Sequence, residues 1–378
     1  MIYLDCNATT PVAAGVLEEM LPVFTGEFAN PSSTYHAAGR RAADLVHHAR
    51  ERVAACLGAN PGRVVFTSGS TEALNLAIKG LDPPAGRNRI LVGATEHKAV
   101  LEAAAARPEM TVELLPVHRD GTLDLDALAG TLRTGVALVA VMAVNNETGV
   151  IHPVAAALDL AASHGALTLC DATQAIGRIP LKEVAAADFI ALSAHKIYGP
   201  KGVGCLIGSR DGLASLNAVA SGGAQERGLR SGTLNVPGIV GLGAAIDLVT
   251  ADQHVESGRQ QNLRDSLPQQ LETRLGGVHL NGSPNRRVCN TVNLRFDGAD
   301  GEAVLANLRL VAASTGSACQ TAVPAPSHVL RAMGLATTEA EQSLRFSLGR
   351  FTSDHDIDAA VDDIVAAVTR VRELEDGA

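Results

Sequence analysis

Short apolar runs alternate with helix-like stretches between residues 63 and 210. The runs include RVVFT, RILVG, VALVAVMAV, ALTLC, DFIALS and GVGCLIG. Because they lack polar alternation, they are typical of strands that are covered on both faces of a sheet. A stretch such as PVAAALDLAASHG, with Pro near its start and Gly at its end, is typical of a helix. The alternation of the two patterns predicts an α/β fold whose large domain has a mostly parallel central sheet.

The pattern changes beyond about residue 237, where a polar helical stretch begins. It is followed by the strand-like run VCNTVNLRF, the helical run GEAVLANLRL and the strand-like run SLRFSLG. A final helix is expected after Ser353, which opens the capping-box pattern S-x-x-D. We therefore predict a large domain over residues 11–250 and a smaller α+β domain made of residues 1–10 and 251–378.

Composition and charge narrow the class of protein. The 378 residues are 46% hydrophobic, which is enough for a large core, and the formal net charge is −9. An acidic chain without a basic cluster is not expected to bind nucleic acid or an anionic membrane directly. The start MIYLDCNATTP has no signal-peptide pattern, and the longest apolar run is too short to span a bilayer. We expect a soluble, cytoplasmic protein.

The six cysteines show no CxxC or zinc-like spacing, so no metal site is predicted. Four of them lie in helical or strand-like patterns and are expected to be small buried residues of a reducing compartment: Cys56, Cys170, Cys205 and Cys289. Cys6 is ambiguous. Cys319 differs because it stands in ASTGSACQTAVPAP, among small and turn-forming residues. A thiol in such a loop is a candidate for chemistry.

Four short stretches place polar side chains where predicted strands end, and each has an ordinary structural interpretation. In TSGSTEALN, Ser70 and Thr71 begin a helix and suit either a simple N-cap or an anion cradle. The ordinary interpretations are an N-cap for Asp171 in CDATQ, a structural role for His97 in TEHKAV, and a solvated side chain for Lys196 in SAHKIYGPKG. Because ligands bind at the carboxyl ends of parallel strands, these residues are expected to converge.

Together the four stretches match the needs of pyridoxal phosphate (PLP). This cofactor needs a lysine for its Schiff base, an acid paired with its ring nitrogen, a phosphate cradle and a group stacked on its ring. In that order, the candidates are Lys196, Asp171, Ser70 with Thr71, and His97. Other sites fit worse, since GLGAAI lacks the context of a dinucleotide fingerprint and GPKG lacks the spacing of a Walker P-loop.

With these motifs in view, the chain resembles a cysteine desulfurase of the NifS/IscS-like group, within the fold-type I, class-V aminotransferase superfamily. The resemblance runs from YLDCNATTP to SLRFSLGRFT, which is almost the whole chain. It rests on motifs that occur in the family's order: TSGSTEALNLAIKG, TEHKAV, VNNETGV, DATQ, SAHKIYGPKG, RSGT and STGSAC. The fold that it implies is PLP fold type I, with a smaller α+β domain beside the large one.

The resemblance implies a role for each matching residue. Lys196 would form the Schiff base, Asp171 would pair with the ring nitrogen, and His97 would stack on the ring and help to move protons. The other cofactor contacts would be Gln174 at the phenolic oxygen; Ser70, Thr71, Ser193 and His195 at the phosphate; and Thr233 at the phosphate of a partner subunit. Asn146 would contact both cofactor and substrate, and Arg345 would hold the substrate carboxylate.

Cys319 matches the catalytic cysteine of the family. The implied activity is PLP-dependent conversion of L-cysteine to L-alanine, with a persulfide on Cys319 whose sulfur passes to an acceptor protein. The role of Thr233 implies a homodimer. Alternatives on the same fold are a selenocysteine lyase and a class-V aminotransferase, and a catalytically inactive scaffold for sulfur assembly is a further one. The loop after Cys319 is as long as in the mobile-loop group of desulfurases, which suits a thiol that must swing between cofactor and partner.

Several questions stay open from the sequence. The acceptor pathway could be iron–sulfur cluster assembly, tRNA thiolation, cofactor synthesis or DNA phosphorothioation. The chain departs from the family's common residues at positions without an assigned role: Cys6, Leu169, Ala194 and Gln320. It ends at Ala378, soon after the final helix, whereas relatives that dock a scaffold protein through a C-terminal tail continue further. That mode of docking is therefore not expected here.

Overall fold

The computed structural model describes residues 1–316 and 326–376. Cys319 lies outside the described residues. The helices are α1 (Ala14–Thr25), α2 (Ala37–Ala55), α3 (Ser70–Lys79), α4 (Lys98–Ala105), α5 (Leu125–Thr131), α6 (Val154–Ser163), α7 (Arg210–Ala214), α8 (Val236–Ala251), α9 (Gln253–Leu275), α10 (Gly301–Asn307), α11 (His328–Ala332), α12 (Thr337–Glu341) and α13 (Asp354–Asp376). The strands are β1 (Ile2–Tyr3), β2 (Val64–Thr67), β3 (Arg89–Gly93), β4 (Thr111–Leu115), β5 (Val136–Ala140), β6 (Leu167–Asp171), β7 (Phe189–Ser193), β8 (Gly204–Gly208), β9 (Val278–Asn281), β10 (Thr291–Phe296), β11 (Val311–Ala312) and β12 (Ser343–Ser347).

The large sheet has seven strands within the described residues, in the order β2-β8-β7-β6-β5-β3-β4. Strands β3 to β7 run parallel to their neighbours in this set, and β8 runs antiparallel to both β2 and β7. The prediction of a mostly parallel central sheet is therefore confirmed. Since β2 and β7 point the same way, the residues that follow β2, β3, β6 and β7 reach the same edge of the sheet.

Alternate residues of the strands pack into cores on opposite faces of the large sheet. On β2, Val64 and Phe66 join the core under α1, α2, α6 and α8, whereas Val65 joins the core under α3 and α4. On β7, Ile190 and Leu192 face the first group of helices, and Phe189 faces the second. Both faces are thus covered, which explains why these strands are continuous apolar runs.

Two details of the sheet differ from the pattern in the sequence. Strand β4 was not predicted, because it lies at the edge of the sheet, where Leu114 is 60% exposed and Glu113 interrupts the apolar run. The run VALVAVMAV was expected to be one strand, but β5 ends at Ala140. The rest of the run stays buried and continues past the end of β6, where Ala143 N–H donates to the carbonyl of Asp171 at 2.9 Å.

A second, separate core belongs to the small sheet. Strands β12, β10 and β9 form an antiparallel sheet, and β1 pairs in parallel with β11. The first residues of the chain join this core, where Leu4 packs with apolar residues of α9, β10, β12 and α13. The predicted capping box opens α13, since Ser353 Oγ accepts from Asp356 N–H at 3.2 Å and the Asp356 carboxylate accepts from Ser353 N–H at 2.9 Å.

Within the described ranges, no helix has both the length and the apolar character that crossing a bilayer requires.

Candidate active site

A cavity of about 280 Å³ opens at the carboxyl edge of the large sheet, beside the small sheet. Most of the residues predicted from the sequence line it: Ser70, Thr71, His97, Asn146, Asp171, Gln174, His195, Lys196 and Arg345. Asn7, Met142 and Val144 line it as well. Residues from distant parts of the chain thus meet as expected, and they bring a carboxylate, an amine, an imidazole and a guanidinium into one space.

A second cavity of about 370 Å³ adjoins the first and shares Ser70, Thr71 and His195 with it. It lies at the N-terminus of α3, and its polar lining also includes Thr9, Ser68, Ser193, Lys201 and Glu72. The Glu72 carboxylate is paired with Arg230 at 2.8 Å. Its wall is close-packed backbone, since a Cβ on Gly204 would come within 2.7 Å of the Gly69 Cα atom. A helix N-terminus with hydroxyls and a lysine nearby favours an anion such as a phosphate group.

Asp171 ends β6 and is 7% exposed, and its Oδ1 accepts a hydrogen bond from Thr173 N–H at 2.9 Å. His97 caps α4, because its Nδ1 accepts from Ala99 N–H at 3.1 Å. Burial lowers the pKa of His97, and the negative charge of Asp171 offsets this only in part. The imidazole is therefore neutral near pH 7, with its remaining proton on Nε2.

Lys196 ends a short 3-10 turn, Ala194–Lys196, that follows β7. Its Nζ donates to two carbonyl oxygens of the N-terminal segment, Asn7 O at 2.5 Å and Ala8 O at 2.7 Å. On the preceding residue, burial lowers the pKa of His195 to about 4, and the charges of Lys196 and Lys201 act in the same direction. His195 is therefore a neutral hydrogen-bonding group near pH 7.

Arg345 reaches the cavity from β12 of the small sheet and is 3% exposed. One Nη atom donates to the Asn146 carbonyl at 3.1 Å, and the other forms an ion pair with Asp5 at 2.5 Å. Its buried Nε has no hydrogen-bond partner among the described residues. A buried, unsatisfied guanidinium nitrogen is costly, so this N–H is suited to an acceptor group brought by a ligand.

Among the described residues, one predicted site residue lines neither cavity. Thr233 is exposed on the segment before α8. Cys319 lies outside the described residues, although Gly316, shortly before it in the chain, lines the main cavity.

The other cysteines are free thiols set apart from the main cavity. Cys170, Cys205 and Cys289 are buried as expected, and Cys56 is only partly buried because it follows the end of α2. Cys6 lines a separate cavity of about 240 Å³ with Tyr198 and Phe351. Burial raises the pKa of Cys6 to about 11, so its thiol is protonated near pH 7.

Three polar residues of the site were missed or undervalued from the sequence. The carbonyl of Asn7 accepts from both Lys196 and Gln174, which no side-chain pattern reveals. Arg178 donates to Gln174 from outside the cavity. Glu96 is 1% exposed, accepts from Met142 N–H at 2.5 Å, and has a pKa raised well above its usual range by burial and by the charge of Asp171. Glu96 lies in the motif TEHKAV, but the sequence did not indicate its role.

The comparisons with known proteins agree with this geometry. The family model described as "Aminotransferase class-V" matches residues 2–360. The chain is 50% identical to a cysteine desulfurase of Frankia sp. (strain EuIK1), over 99% of this chain and 93% of that protein. It is 44% identical to the cysteine desulfurase IscS of Anaeromyxobacter dehalogenans (strain 2CP-C), over 99% of this chain and 94% of that protein. A solved structure titled "NIFS-LIKE PROTEIN" is similar with a TM-score of 0.90 and 32% identity, over 98% of this chain and 99% of that one.

Proposed function

Since the chain belongs to the class-V aminotransferase family and is a PLP-dependent cysteine desulfurase, we propose that its main cavity converts L-cysteine to L-alanine and that Cys319 takes the sulfur as a persulfide. The observation that carries this proposal is the convergence of Lys196, Asp171, His97 and Arg345 around one cavity. In such a reaction the Cβ–S bond of the substrate breaks, a bond forms between that sulfur and Cys319, and the β-carbon gains a proton.

The residues present fit PLP. The cavity offers an amine on Lys196, a buried carboxylate on Asp171 and a neutral ring on His97, and the adjoining cavity at the start of α3 suits a phosphate. In our assignment Lys196 holds the cofactor covalently, Asp171 binds its ring nitrogen and Gln174 its phenolic oxygen. The phosphate contacts are assigned to four residues: Ser70, Thr71, Ser193 and His195.

When bound, PLP supplies an electron sink that stabilises negative charge on the substrate's α-carbon. Asp171 keeps a proton on the ring nitrogen, because a carboxylate favours a neighbouring positive charge. Arg345 binds the substrate carboxylate, because its buried Nε–H has no hydrogen-bond acceptor among the described residues. Lys196 moves the α-proton, and its amine is within reach because the carbonyls of Asn7 and Ala8 hold it at the cavity wall.

Cys319 attacks the substrate sulfur as a thiolate in this scheme. The described cysteines are poorer nucleophiles, since burial raises the pKa of Cys6 to about 11 and that of Cys56 to about 12. Cysteine desulfurases pass the sulfur on to acceptor proteins, and the persulfide on Cys319 is the species that would be transferred.

We assign the enzyme a homodimeric form in which Thr233 contacts the phosphate of the partner's cofactor. Thr233 is exposed, as a residue that serves a second subunit must be in the single chain. The α1 helix also carries an apolar face that a second copy could bury: Leu17, Leu21 and Phe24 are 44%, 54% and 56% exposed at helical spacing.

The domain division over residues 11–250, and over 1–10 with 251–378, is also part of the proposal. It is supported by the separate core of the small sheet, which Ile2 and Leu4 join. We further assign the enzyme to the cytoplasm, without direct contacts to nucleic acid or membrane, in keeping with its net charge of −9 and with the free thiols of the described cysteines.

The test compares serine variants of all six cysteines. Cys319→Ser should fold and retain PLP, yet lose alanine production, because a serine hydroxyl is far less nucleophilic toward sulfur than a thiolate. Serine at the other positions should lower stability modestly and leave turnover largely intact. Alanine is assayed, and mass spectrometry locates the protein-bound persulfide. Normal turnover by Cys319→Ser, or a persulfide on Cys6, would overturn the assignment.

A further inference from the structure

Arg178 bridges two segments that line the cavity, although it does not line the cavity itself. Its Nη1 donates to the backbone carbonyl of Gln174 at 3.1 Å and to the side-chain Oε1 of the same residue. Its Nη2 donates to the carbonyl of Lys196 at 3.3 Å. One guanidinium thus joins the segment that follows β6 to the turn that follows β7.

The donor-only chemistry of Arg178 determines which way the Gln174 amide faces. A guanidinium has no acceptor, so the Gln174 atom that it contacts must be the oxygen. The other end of the amide is the nitrogen, and it donates to the carbonyl of Asn7 at 3.1 Å. The amide nitrogen carries two N–H groups, and Gln174 lines the cavity, so the second N–H is available to an acceptor bound there.

The same network reaches the catalytic amine. Asn7 O accepts from Gln174 Nε2 and, at 2.5 Å, from Lys196 Nζ. The described residues place no carboxylate within ion-pair distance of Arg178, and its partners are carbonyl and amide oxygens. A partly buried cation without a counter-ion is costly to hold, and here its hydrogen bonds converge on the cavity wall. Together these hydrogen bonds fix the orientation of the Gln174 amide, because the terminal torsion of a glutamine side chain is otherwise broad.

We propose that Arg178 is a positioning residue: it holds the Gln174 amide so that Nε2–H faces the phenolic oxygen of the cofactor. The proposal rests on the assignment of Gln174 made under the proposed function. Without Arg178 the amide is able to rotate by half a turn and present its carbonyl to that oxygen. The donor would then be lost and replaced by a repulsive contact.

The test is a pH titration of the visible absorption of the holoenzyme. A hydrogen bond to the phenolic oxygen favours its deprotonated form, so Arg178→Met should move the titration midpoint up by about one pH unit. Gln174→Ala should move it by a similar amount. The Arg178→Met, Gln174→Ala double variant should match Gln174→Ala alone, because the guanidinium acts through the glutamine. Equilibrium dialysis of PLP gives a second readout, with retention about tenfold weaker in each single variant.

Arg372→Met is the matched control. Arg372 also donates to three oxygens, all backbone carbonyls, of Leu275, Gly276 and Asp297, and none of these residues lines the cavity. Its loss should lower thermal stability and leave the midpoint in place. If Arg178→Met does not fold, Arg178→Lys replaces it, and an ammonium that reaches one acceptor should give a smaller upward shift.

Three outcomes would overturn the proposal: an unshifted midpoint in Arg178→Met or Arg178→Lys, additive shifts in the double variant, or an unshifted midpoint in Gln174→Ala. The last would remove the premise about Gln174 while leaving the assignment of Lys196 intact, since that is measured separately by peptide mapping. Cofactor that maps to another lysine would instead refute the proposed function itself.

Discussion

The floor of the cavity and the loop that carries Thr233 are built in opposite ways. On the floor, Asp171, Gln174 and Lys196 are hydrogen-bonded by their own chain, through Thr173 N–H and the carbonyls of Asn7 and Ala8. Thr233, by contrast, is exposed. Just before it, three non-glycine residues adopt the left-handed backbone conformation: Ala224 (φ 59°), Glu226 (φ 48°) and Arg227 (φ 58°).

A buried ion pair holds this strained loop in place. Glu226, whose side chain is 2% exposed, pairs with Arg50 at 2.6 Å and accepts from Phe66 N–H at 2.7 Å. The Arg50 guanidinium also lies 4.6 Å from the centre of the Phe66 ring. The Phe66 N–H on the outer edge of β2 thus has a hydrogen-bond acceptor, and this bond to Glu226 fixes the loop to the strand. The comparison shows that the polar groups of the cavity floor find their hydrogen-bond partners within the chain. The loop that carries Thr233 instead presents this side chain on the surface, where a second subunit could contact it.

The largest expected effect is on the floor. Lys196→Ala should abolish turnover, because the covalent attachment point of the cofactor and the group that moves the α-proton are both lost. Borohydride reduction of the wild-type holoenzyme, followed by peptide mapping, should find PLP on Lys196. Lys98→Ala, at the start of α4, is the control that should keep the linkage. Cofactor mapped to Lys98 or Lys201 would contradict the assignment.

Asp171→Asn tests the same region with a smaller change. The neutral amide no longer favours a proton on the ring nitrogen, and losing a charge-assisted hydrogen bond should cost roughly 1.5–3 kcal/mol of transition-state stabilisation. The rate of alanine formation in steady state is the measurement. A wild-type rate would show that Asp171 does not have this role.

Leu21→Lys tests whether the exposed region awaits a second subunit. A lysine on the apolar face of α1 should weaken the dimer, and PLP retention should fall with it because Thr233 no longer reaches the partner's cofactor. Light scattering gives the oligomeric state, and dialysis gives the PLP content. Val255→Lys, at a position 74% exposed on α9, is the matched control. A monomer that holds PLP as tightly as the wild-type protein would refute the role of Thr233.

The smallest effect is expected from Ala224→Gly, which relieves strain in the loop. A non-glycine residue in the left-handed region costs about 1–2 kcal/mol, and the entropy cost of glycine returns roughly 0.5–1 kcal/mol of that. The free energy of unfolding should therefore rise by about 0.5–1 kcal/mol in urea titrations. Ala55→Gly, at the end of α2, should lower it instead. A loss of stability in Ala224→Gly would mean that the loop is not strained there.

The sequence by itself was sufficient for the central strands and for the edge at which the site lies. Strands that are covered on both faces must be apolar throughout, so β2, β3, β5, β6, β7 and β8 are visible as runs. Polar residues directly after such runs lie at one edge, which is why Asp171, His97 and Lys196 were located correctly as neighbours. The roles of Thr233 and Cys319 came from resemblance to the family, and they stay predictions.

Tertiary structure decided the rest. The contact of Arg345 with Asn146 joins the small sheet to the large one, across 199 positions of sequence, and no local pattern encodes it. The carbonyls of Asn7 and Ala8 that hold Lys196 belong to the backbone, so their residue types give no signal. Arg178 is an ordinary polar residue until the ends of β6 and β7 meet beside it. Local periodicity reports which face of an element is buried, whereas the direction of a hydrogen bond between distant segments depends on how those elements pack.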